Sequence, residues 1–398
     1  MTRSVLAVNV GSSSVKAALY RTSDDATLTL HAQADVTGIP KAMRFRTKDA
    51  DGRVTADETL PAHPAHADHA GQERAFDRVH DWYAAETADA PLAAVGHRVV
   101  HGGPDFAEPV RIDDAVLARL NAYIPLAPSH QPHNLSAIQT LRAHAPDVPH
   151  VACFDTAFHQ TQPWRAKTFA LPRSYYDRGI RRYGFHGLSY DYIAETLPDM
   201  AGALPSRCVV AHLGHGVSLC ALKDGQSVAT TMGLTALDGL PMGKRSGAID
   251  PGAVLHLIET EGMTPAAVAD LLYKKSGLLG LSGESDDMAD LLNSASDAAA
   301  DAVAFFCYRV AQGIASLAVD LNGLDAVVFT AGIGENAAPV RAAVAGHLSW
   351  LGADLEPAAN ERGGPALHAA GSNVALWVIP TDEAAMIARH ALRLAVTR

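Results

Sequence analysis

The sequence predicts an α/β protein made of two related domains, because one strand–turn–strand pattern occurs twice in a chain of 398 residues. The first copy spans residues 4–20 and turns at Gly11, and the second spans residues 208–222 and turns at Gly214. In each copy an apolar run stops at glycine and small polar residues and then resumes. Glycine lets the backbone approach a ligand closely, and successive backbone N–H groups suit phosphate oxygens. Two such hairpins that face each other would bind a nucleotide between two related domains.

The composition excludes several classes of protein. Apolar residues make up 48% of the chain and charged residues 19%, which is typical of a globular protein with large cores. The formal net charge of −11 argues against nucleic-acid binding, so an anionic substrate would have to meet individual arginines. The four cysteines form no CxxC pair, which suits a reducing compartment. The N-terminus reads as a strand, and no apolar run approaches the roughly 18 residues that span a membrane, so a cytoplasmic protein without a membrane partner is expected.

The rest of the first half alternates between short strands and helices, apart from residues 23–90, where the pattern is weakest. Apolar runs at 93–100 and 148–154 predict strands, and each ends beside polar or glycine-rich residues. The other predicted elements are a helix over 113–123, an irregular loop around His130 framed by Pro125, Pro128 and Pro132, and a helix over 187–197.

The second half continues this alternation after the second hairpin. An apolar-periodic pattern predicts a long helix over 297–321. Residues 326–330 predict a buried strand that runs into a glycine-rich loop at 331–336, an order typical of phosphate or ribose binding. Residues 374–379 predict another strand, and a capped final helix over 384–396 follows. The chain has no GxxxxGK[ST] motif, which argues against the P-loop class.

Polar residues at the ends of these strands and turns form an unusual set. Each has a purely structural interpretation, such as a turn residue for Asn9, a salt bridge for Arg98 and a solvated loop charge for Arg245. Asp155 and His186 would likewise serve as helix caps. Because all of them would have to be structural at once, the sequence favours a functional site that contains Asn9, Arg98, His130, Asp155, His186, Arg245 and Glu383.

Five long motifs identify the family that the chain resembles. They are Asn-Val-Gly-Ser-Ser-Ser-Val-Lys at 9–16, Gly-His-Arg-Val-Val-His-Gly-Gly at 96–103, Phe-Asp-Thr-Ala-Phe-His at 154–159, Arg-Tyr-Gly-Phe-His-Gly at 182–187 and Val-Val-Phe-Thr-Ala-Gly-Ile-Gly-Glu-Asn at 327–336. With them the chain resembles the acetokinase family, the acetate kinases and their propionate kinase-like relatives, over nearly its whole length.

The resemblance implies a fold, a domain division and a reaction. The fold would be α/β, with two duplicated actin/hexokinase/heat-shock-protein-like ATPase domains (ribonuclease-H-like mixed sheets with flanking helices) around an interdomain cleft. Residues 1–153 with the C-terminal helix 385–398 would form the N-terminal domain, and residues 154–384 the nucleotide-binding domain. The reaction would be the reversible, direct in-line phosphorylation of acetate or propionate by ATP to give an acyl phosphate and ADP. The family is homodimeric, so a homodimer is expected.

This reaction suits the residue types at the strand ends. A small carboxylate is already ionised at pH 7, so no general base is needed, and the obstacle is the repulsion between two anions. Catalysis then reduces to positioning and charge stabilisation. By resemblance Arg98 would hold the substrate carboxylate, while Arg245 and His186 would stabilise the transferring phosphoryl group. Asp155 would be the active-site acid that positions substrate or metal.

The resemblance also assigns the ligand-binding residues. Asn9 and Glu383 would belong to a Mg²⁺ site, which Mn²⁺ could also fill, largely through water. Val100 and Phe185 would line the acyl pocket, and His130 would support it. The phosphate contacts would come from Ser12, Ser14 and Lys16 and from the loop of His212, Leu213, Gly214, His215 and Gly216. The adenosine pocket would be lined by Asp287, Met288, Gly332, Ile333, Gly334, Glu335 and Asn336.

The chain departs from the family pattern at several positions. His215 replaces an asparagine in the second phosphate loop, which changes the reach and charge of that side chain. Ser129 replaces a leucine and Ala236 replaces a proline beside the acyl pocket. Both changes remove volume, so they predict a roomier pocket that accepts propionate or a somewhat larger acid. Further replacements are Tyr190 for histidine, Lys244 for threonine and Ala289 for arginine.

Two other interpretations remain open. A pyrophosphate-dependent relative would have no use for the adenosine loop at 332–336, which this chain retains. A nucleotide-binding regulatory homologue with weak or no catalysis would be consistent with His215 and Ala289. Nucleotide binding without acyl phosphate formation would reveal such a homologue.

Overall fold

The computed structural model of the chain describes residues 2–11, 13–23, 27–39, 42–60 and 68–396. Its strands are β1 (Arg3–Val10), β2 (Ser14–Thr22), β3 (Leu28–Thr37), β4 (Arg44–Asp49), β5 (Val54–Thr59), β6 (Leu92–Val99), β7 (Val110–Arg111), β8 (His150–Phe154), β9 (Arg207–Leu213), β10 (Val217–Lys223), β11 (Gln226–Thr230), β12 (Ala326–Thr330) and β13 (Ala375–Val378). Its helices are α1 (Asp68–Glu86), α2 (Asp114–Ala122), α3 (Gln131–His144), α4 (Trp164–Lys167), α5 (Arg173–Asp177), α6 (Gly187–Ala201), α7 (Pro251–Glu259), α8 (Pro265–Lys274), α9 (Gly277–Ser282), α10 (Met288–Asn293), α11 (Asp297–Leu321), α12 (Ala331–Asn336), α13 (Ala338–His347), α14 (Pro357–Arg362) and α15 (Glu383–Val396).

The chain divides into two compact units, Met1–Phe158 with Asp382–Arg398, and His159–Thr381. The sequence placed Asp155 and Glu383 in the second domain, whereas the structure assigns both to the first unit. The reason is local hydrogen bonding and packing. The Asp155 amide donates to the Val99 carbonyl at 3.1 Å and so continues the pairing of β8 with β6. Helix α15 begins at Glu383 and packs on β1, β6 and β8.

The first unit is built on an eight-stranded sheet in the order β5-β4-β3-β2-β1-β6-β8-β7. Strands β1 to β5 form an antiparallel meander, whereas β6 and β8 extend the sheet parallel to β1. Leu6 of β1 packs in a cluster with Phe76 of α1 and Leu141 of α3. Side chains alternate between faces, and on the opposite face a Cβ at Gly96 would lie 2.5 Å from Ile387 Cγ2 of α15. Helices therefore cover both faces of the parallel strands.

The second unit repeats this arrangement in a five-stranded sheet in the order β11-β10-β9-β12-β13. Strands β9, β10 and β11 are antiparallel, and β12 and β13 run parallel to β9. The first unit has the same strand directions in the order β3-β2-β1-β6-β8. The predicted duplication of a mixed α/β sheet is therefore confirmed, as are both hairpins and the helices over 113–123, 187–197 and 297–321.

Helix α11 corrects one expectation from the sequence. Among the described residues this helix alone is long and apolar enough to cross a membrane, with 25 residues and a mean hydropathy of 1.5 over its most apolar window. The sequence predicts no apolar run of that length. Helix α11 packs on β9 and β10, and its buried face includes Phe306, Val310, Ile314 and Leu317. The buried part of its apolar window, 44% of it, therefore belongs to the core of the second unit.

Three segments differ from the sequence expectations. The weakly patterned stretch 23–90 contains β3, β4, β5 and α1. The segment around His130 is not all irregular, because α3 begins at Gln131 with Pro132 in its first turn, where the missing N–H needs no partner. The predicted loop at 331–336 is the short helix α12, which is closed by a 2.9 Å bond from the Ala337 amide to the Ile333 carbonyl.

Candidate active site

The carboxyl ends of three strands carry the charged residues of the first unit. Asn9 lies near the end of β1, Arg98 near the end of β6, and Asp155 directly after β8. Because these strands are parallel neighbours, their ends meet at one edge of the sheet. The topology therefore brings together three residues that are far apart in sequence.

Arg98 is the centre of this cluster. Its Nε donates to Asp155 Oδ1 at 2.8 Å and its Nη2 donates to Asp155 Oδ2 at 2.5 Å, so the pair is bidentate. Its Nη1 donates to Asn9 Oδ1 at 3.1 Å, and Glu383 Oε2 lies 3.9 Å from its Nε. A guanidinium has more N–H donors than these bonds use, so Arg98 can still donate to a ligand carboxylate.

Burial and charge act in opposite directions on the ion pair. The Asp155 side chain is 2% exposed and the Arg98 side chain 21% exposed. Burial alone would lower the pKa of Arg98, but the carboxylates of Asp155 and Glu383 raise that pKa above its usual value. Burial raises the pKa of Asp155, and the positive charge of Arg98 opposes this rise. The two bonds to the guanidinium stabilise the carboxylate form, so this is a buried ion pair whose partners depend on each other.

The first turn of α15 supplies Glu383 to the cluster. Asp382 precedes the helix and accepts a hydrogen bond from the Ala385 amide at 2.8 Å, which satisfies one of the unpaired N–H groups of the helix start. The cap that the sequence predicts before the final helix is confirmed at Asp382. This cap fixes where α15 begins and therefore where the Glu383 carboxylate lies.

Two amide side chains that the sequence analysis did not single out hold the loop after β6. Asn134 of α3 accepts from the Val100 amide at 3.0 Å and donates to the Val10 carbonyl at 2.9 Å. Gln131 accepts from the His101 amide at 3.3 Å and donates to the same residue's carbonyl at 3.0 Å. The sequence signal is a pair of amides on the buried face of a helix.

The other predicted residues of the first unit have different exposures. Lys16 is exposed and pairs with Asn9 across the β1–β2 hairpin. Ser14 begins β2. Ser12 lies outside the described residues. The predicted acyl-pocket residues Val100, Ser129 and His130 belong to the first unit and Phe185 and Ala236 to the second, so the roomier pocket stays a prediction.

Two imidazoles stack in the second unit where α6 begins. His186 directly precedes α6, and its ring stacks on that of His212 near the end of β9, with ring centroids 4.1 Å apart. His186 Nδ1 lies 2.8 Å from Ser218 Oγ, and His212 Nδ1 lies 2.9 Å from Ser189 Oγ. Serine hydroxyls therefore orient both rings.

Gly216 marks the point where His186 and Arg245 approach the second phosphate loop. A Cβ on this glycine would lie 2.7 Å from His186 Nε2 and 3.6 Å from Arg245 Nη2. Any larger residue would displace the imidazole. The absence of a side chain at Gly216 thus lets the His186 imidazole and the Arg245 guanidinium approach the same stretch of backbone.

Arg245 has a different environment from Arg98. Its Nη1 donates to the Ala236 carbonyl at 2.7 Å, and no carboxylate of the described residues forms an ion pair with it. Burial lowers the pKa of Arg245, although Tyr273 opposes this. An arginine stays protonated in a protein. A half-buried positive charge without a counter-charge favours an anionic ligand.

A cavity of about 430 Å³ opens beside the same loop. Residues from the second phosphate loop and from the adenosine set both line it, namely Gly214, His215, Asp287, Met288, Gly332, Ile333 and Asn336. Its size is typical of a small-molecule site. The replaced residue His215 is 87% exposed, and its Nε2 lies 3.9 Å from Asp286 Oδ2, which Lys244 Nζ approaches to 3.3 Å.

Gly334 and Glu335 of the predicted adenosine set do not line this cavity. Their carbonyls instead accept hydrogen bonds from Arg341 Nη1 at 3.0 and 2.9 Å. Arg341 is 1% exposed, and its Nε also donates to Asn360 Oδ1 at 2.8 Å. Arg341 therefore holds the last turn of α12 through two carbonyls of residues that do not line the cavity. Sequence reasoning missed this residue, and the available signal is an arginine on the buried face of α13.

Comparison with known proteins decides the family. Residues 4–389 match the model of the acetokinase family. The chain belongs to the acetokinase family. It is 48% identical to the acetate kinase of Nitrobacter hamburgensis over 396 residues, which cover 99% of this chain and 97% of that protein. It is also 48% identical to the acetate kinase of Rhizobium meliloti over 391 residues, with 98% of both chains covered.

Solved structures agree with this membership. The propionate kinase from Francisella tularensis is 34% identical and has a TM-score of 0.89, with 98% of this chain and 99% of that chain covered. The acetate kinase of Porphyromonas gingivalis is 32% identical and has a TM-score of 0.85 at the same coverage. The predicted family, the predicted fold and the predicted ATP-dependent transfer of phosphate to a carboxylate are confirmed.

Proposed function

We propose that this acetokinase family member makes an acyl phosphate by direct in-line transfer and that Arg98, Asp155, His186 and Arg245 act on the reacting groups. The observation that carries the proposal is that His186 and Arg245 both approach the backbone of Gly216. A Cβ placed on this glycine would lie 2.7 Å from His186 Nε2 and 3.6 Å from Arg245 Nη2. The His186 imidazole and the Arg245 guanidinium lie beside a glycine-rich loop, and no carboxylate of the described residues forms an ion pair with Arg245. Together the two side chains can donate hydrogen bonds to phosphoryl oxygens.

The transfer needs no base because the carboxylate attacks as an anion. One carboxylate oxygen bonds to the γ-phosphorus while the bond from that phosphorus to the bridging oxygen of ADP breaks, and no proton moves. Arg245 and His186 stabilise the charge on the equatorial oxygens. Arg98, whose orientation is fixed by Asp155, donates its remaining N–H groups to the substrate carboxylate.

Asn9, near the end of β1, and Glu383, at the start of α15, have oxygen donors of the kind that Mg²⁺ prefers. Asn9 Oδ1 and the Glu383 carboxylate are hard donors that lie 3.1 and 3.9 Å from Arg98 nitrogens. Mg²⁺ keeps most of its bound water, so a site with only two protein donors is enough to hold it. Mn²⁺ has similar preferences. When bound, the ion would neutralise phosphate charge. Chelation with EDTA is expected to abolish turnover, and added Mg²⁺ to restore it.

The acyl pocket is proposed to accept propionate as well as acetate. Ser129 and Ala236 stand where larger family residues are usual, so both replacements leave room for another methylene. One methylene in an apolar pocket changes kcat/KM by about 10–200-fold, which corresponds to about 1–3 kcal/mol. S129L and A236P are therefore expected to shift the preference towards acetate.

ATP rather than pyrophosphate is the proposed phosphoryl donor. The cavity of about 430 Å³ beside Gly214 and Gly332 has room for a nucleoside, which pyrophosphate does not need. His215 is mostly exposed at this cavity, so it leaves the volume open. These features also disfavour a purely regulatory homologue, since the donor set at Gly216 remains complete.

A cytoplasmic homodimer is the proposed state of the protein. Besides the family resemblance, exposed apolar side chains at helical spacing on α11 support a surface for a second copy. Phe305, Tyr308 and Val319 are 42%, 48% and 80% exposed. Sedimentation velocity is expected to give twice the mass of the chain, and V319D to shift the mass towards the monomer.

The first experiment measures acyl hydroxamate formation with ATP and Mg²⁺ across acetate, propionate, butyrate and lactate. Turnover with propionate at least as good as acetate is expected. The same assay with pyrophosphate in place of ATP is expected to give no product.

The outcomes separate the parts of the proposal. A clear preference for acetate would support the kinase activity but contradict the proposed roomier acyl pocket. Binding of ATP without product from any acid would favour the regulatory homologue, and H215N would then test whether the replaced loop residue is responsible. Product from pyrophosphate alone would overturn the assignment of ATP.

A further inference from the structure

A chain of three side chains leads away from the phosphoryl-binding face of His186. Tyr190 Oη lies 2.5 Å from Ser218 Oγ, and Ser218 Oγ lies 2.8 Å from His186 Nδ1. Tyr190 and Ser218 are completely buried. A single serine hydroxyl therefore bridges a buried phenol and the imidazole that is proposed to face the phosphoryl group.

The fold fixes the three residues on two elements. His186 and Tyr190 are four residues apart across the first turn of α6, so they lie on the same side of the helix. Ser218 lies on β10, directly opposite His212 of β9 in the antiparallel pairing. Because both elements belong to the core of the second unit, the bridge is held independently of any ligand.

The direction of hydrogen donation follows from acidity. Burial raises the pKa of Tyr190 well above its usual value, so the phenol keeps its proton. A phenol is more acidic than an alcohol and is the better donor, which favours donation from Tyr190 Oη to Ser218 Oγ in a contact where either hydroxyl can donate. The single proton of Ser218 is then directed to His186 Nδ1. A neutral imidazole that accepts at Nδ1 carries its own proton on Nε2.

We propose that Tyr190 is a positioning residue that acts through Ser218 to hold His186 as the neutral Nε2–H tautomer. This proposal rests on the proposed role of His186 in phosphoryl transfer. Nε2 is the atom that approaches Gly216, so the tautomer directs a hydrogen-bond donor to the phosphate loop.

The surrounding charges favour a neutral donor. His212 stacks on His186, and Arg245 Nη2 shares the approach to Gly216. His159 and His212 pack edge-on against Tyr190, and Cys220 acts on it electrostatically. With Arg245 already cationic, a neutral imidazole stabilises the phosphoryl oxygens without a second positive charge beside the first.

The test is Tyr190→Phe, which removes the phenol oxygen and keeps the ring. Nitrogen-15 NMR of the two histidine nitrogens is the first readout, with the His186 signals assigned by their loss in H186Q. The unsubstituted protein is expected to show a protonated Nε2 and a bare Nδ1. In Y190F the proton is expected to populate Nδ1, because Ser218 is then free to accept.

Kinetics are the second readout. Y190F is expected to lower kcat about tenfold with KM for acid and for ATP unchanged, the effect of about one hydrogen bond. S218A should give the same changes, and Y190H, which restores a donor, should recover most of the rate.

Tyr183→Phe is the matched control, since Tyr183 is also a buried tyrosine of this unit and its hydroxyl donates to the Gly179 carbonyl at 3.0 Å. It is expected to leave the His186 tautomer and kcat unchanged. A protonated Nδ1 in the unsubstituted protein, or an unchanged tautomer in folded Y190F and S218A, would overturn the proposal. The NMR result is independent of turnover, so failure of the proposed function would be seen separately as absent product.

Discussion

Arg98 of the first unit and Arg245 of the second are held in opposite ways. Arg98 is bound by both oxygens of the buried Asp155 carboxylate, at 2.8 and 2.5 Å. Arg245 is held by one backbone carbonyl, that of Ala236, and burial lowers its pKa. The charge of Arg98 is balanced before any ligand arrives, so this side chain supplies directed N–H donors. The charge of Arg245 is not balanced, so this side chain supplies electrostatic stabilisation.

The largest effect is expected when the balanced arginine loses its partner. Asp155→Asn keeps the shape of the side chain but removes the bidentate carboxylate partner of the largely buried Arg98, leaving the Glu383 carboxylate at 3.9 Å beside that charge. We expect a loss of about 3–5 kcal/mol in the free energy of unfolding, together with loss of turnover. Urea denaturation followed by circular dichroism measures the first effect, and the hydroxamate assay measures the second.

The control for this substitution is Asp51→Asn in the same unit. Asp51 pairs with Arg53 at 3.3 Å, and both side chains are more than 70% exposed. Its loss should leave the urea midpoint unchanged, because solvent screens exposed pairs. Equal midpoints for D155N and the unsubstituted protein would show that Arg98 does not depend on its carboxylate.

The unbalanced arginine is expected to matter for rate rather than for stability. Arg245→Gln removes a charge directed at the transferring group, so kcat should fall about 10²–10³-fold. The urea midpoint should be unchanged or higher, because a half-buried charge without a carboxylate partner is removed. Steady-state kinetics and urea denaturation of the same preparation measure both quantities.

Lys274→Gln serves as the matched loss of a positive charge. Lys274 lies on α8 of the same unit and is 72% exposed beside Asp270. This variant should retain kcat. If R245Q destabilised the protein as strongly as D155N, the distinction between the two arginines would be wrong.

The smallest effect on activity is expected at Arg341. This residue is buried like Asp155, but it contacts the backbone of α12 and does not line the nucleotide cavity. Arg341→Met removes the hydrogen bonds to the Gly334 and Glu335 carbonyls and loosens the last turn of α12. We expect KM for ATP to rise about fivefold, the equivalent of roughly 1 kcal/mol, with KM for the acid unchanged. Calorimetric titration with ADP gives the same comparison without turnover.

Arg362→Met is the control for this substitution, since Arg362 is an exposed residue at the end of α14, the helix that carries Asn360. It should leave the ADP affinity unchanged. An R341M variant with unaltered affinity would mean that α12 holds its shape without the guanidinium.

The charged residues at the strand ends were predictable from the sequence. The buried side chains that hold one element to another by hydrogen bonds were not. Arg98 and Asp155 each follow an apolar run, so parallel pairing was enough to bring them together. Arg341 and Asn134 lie within helices, and their partners are separated from them in sequence or belong to other elements. Such contacts depend on tertiary packing, which periodicity does not report. The residues 331–336 became helical for a similar reason, since Arg341 binds the carbonyls that a loop would leave to water.

The place of α15 in the first unit has a consequence for biosynthesis. The sheet of this unit is made from residues before 155, yet the helix that covers one of its faces begins at Glu383, after the whole second unit. Domains generally fold as they leave the ribosome, N-terminal parts first. Here the second unit is fully translated before the first can bury Ile387 against Gly96. Nascent chains stalled at residue 381 should therefore expose this sheet face to a protease, and Arg98 gains its neighbour Glu383 only after the whole second unit has been translated.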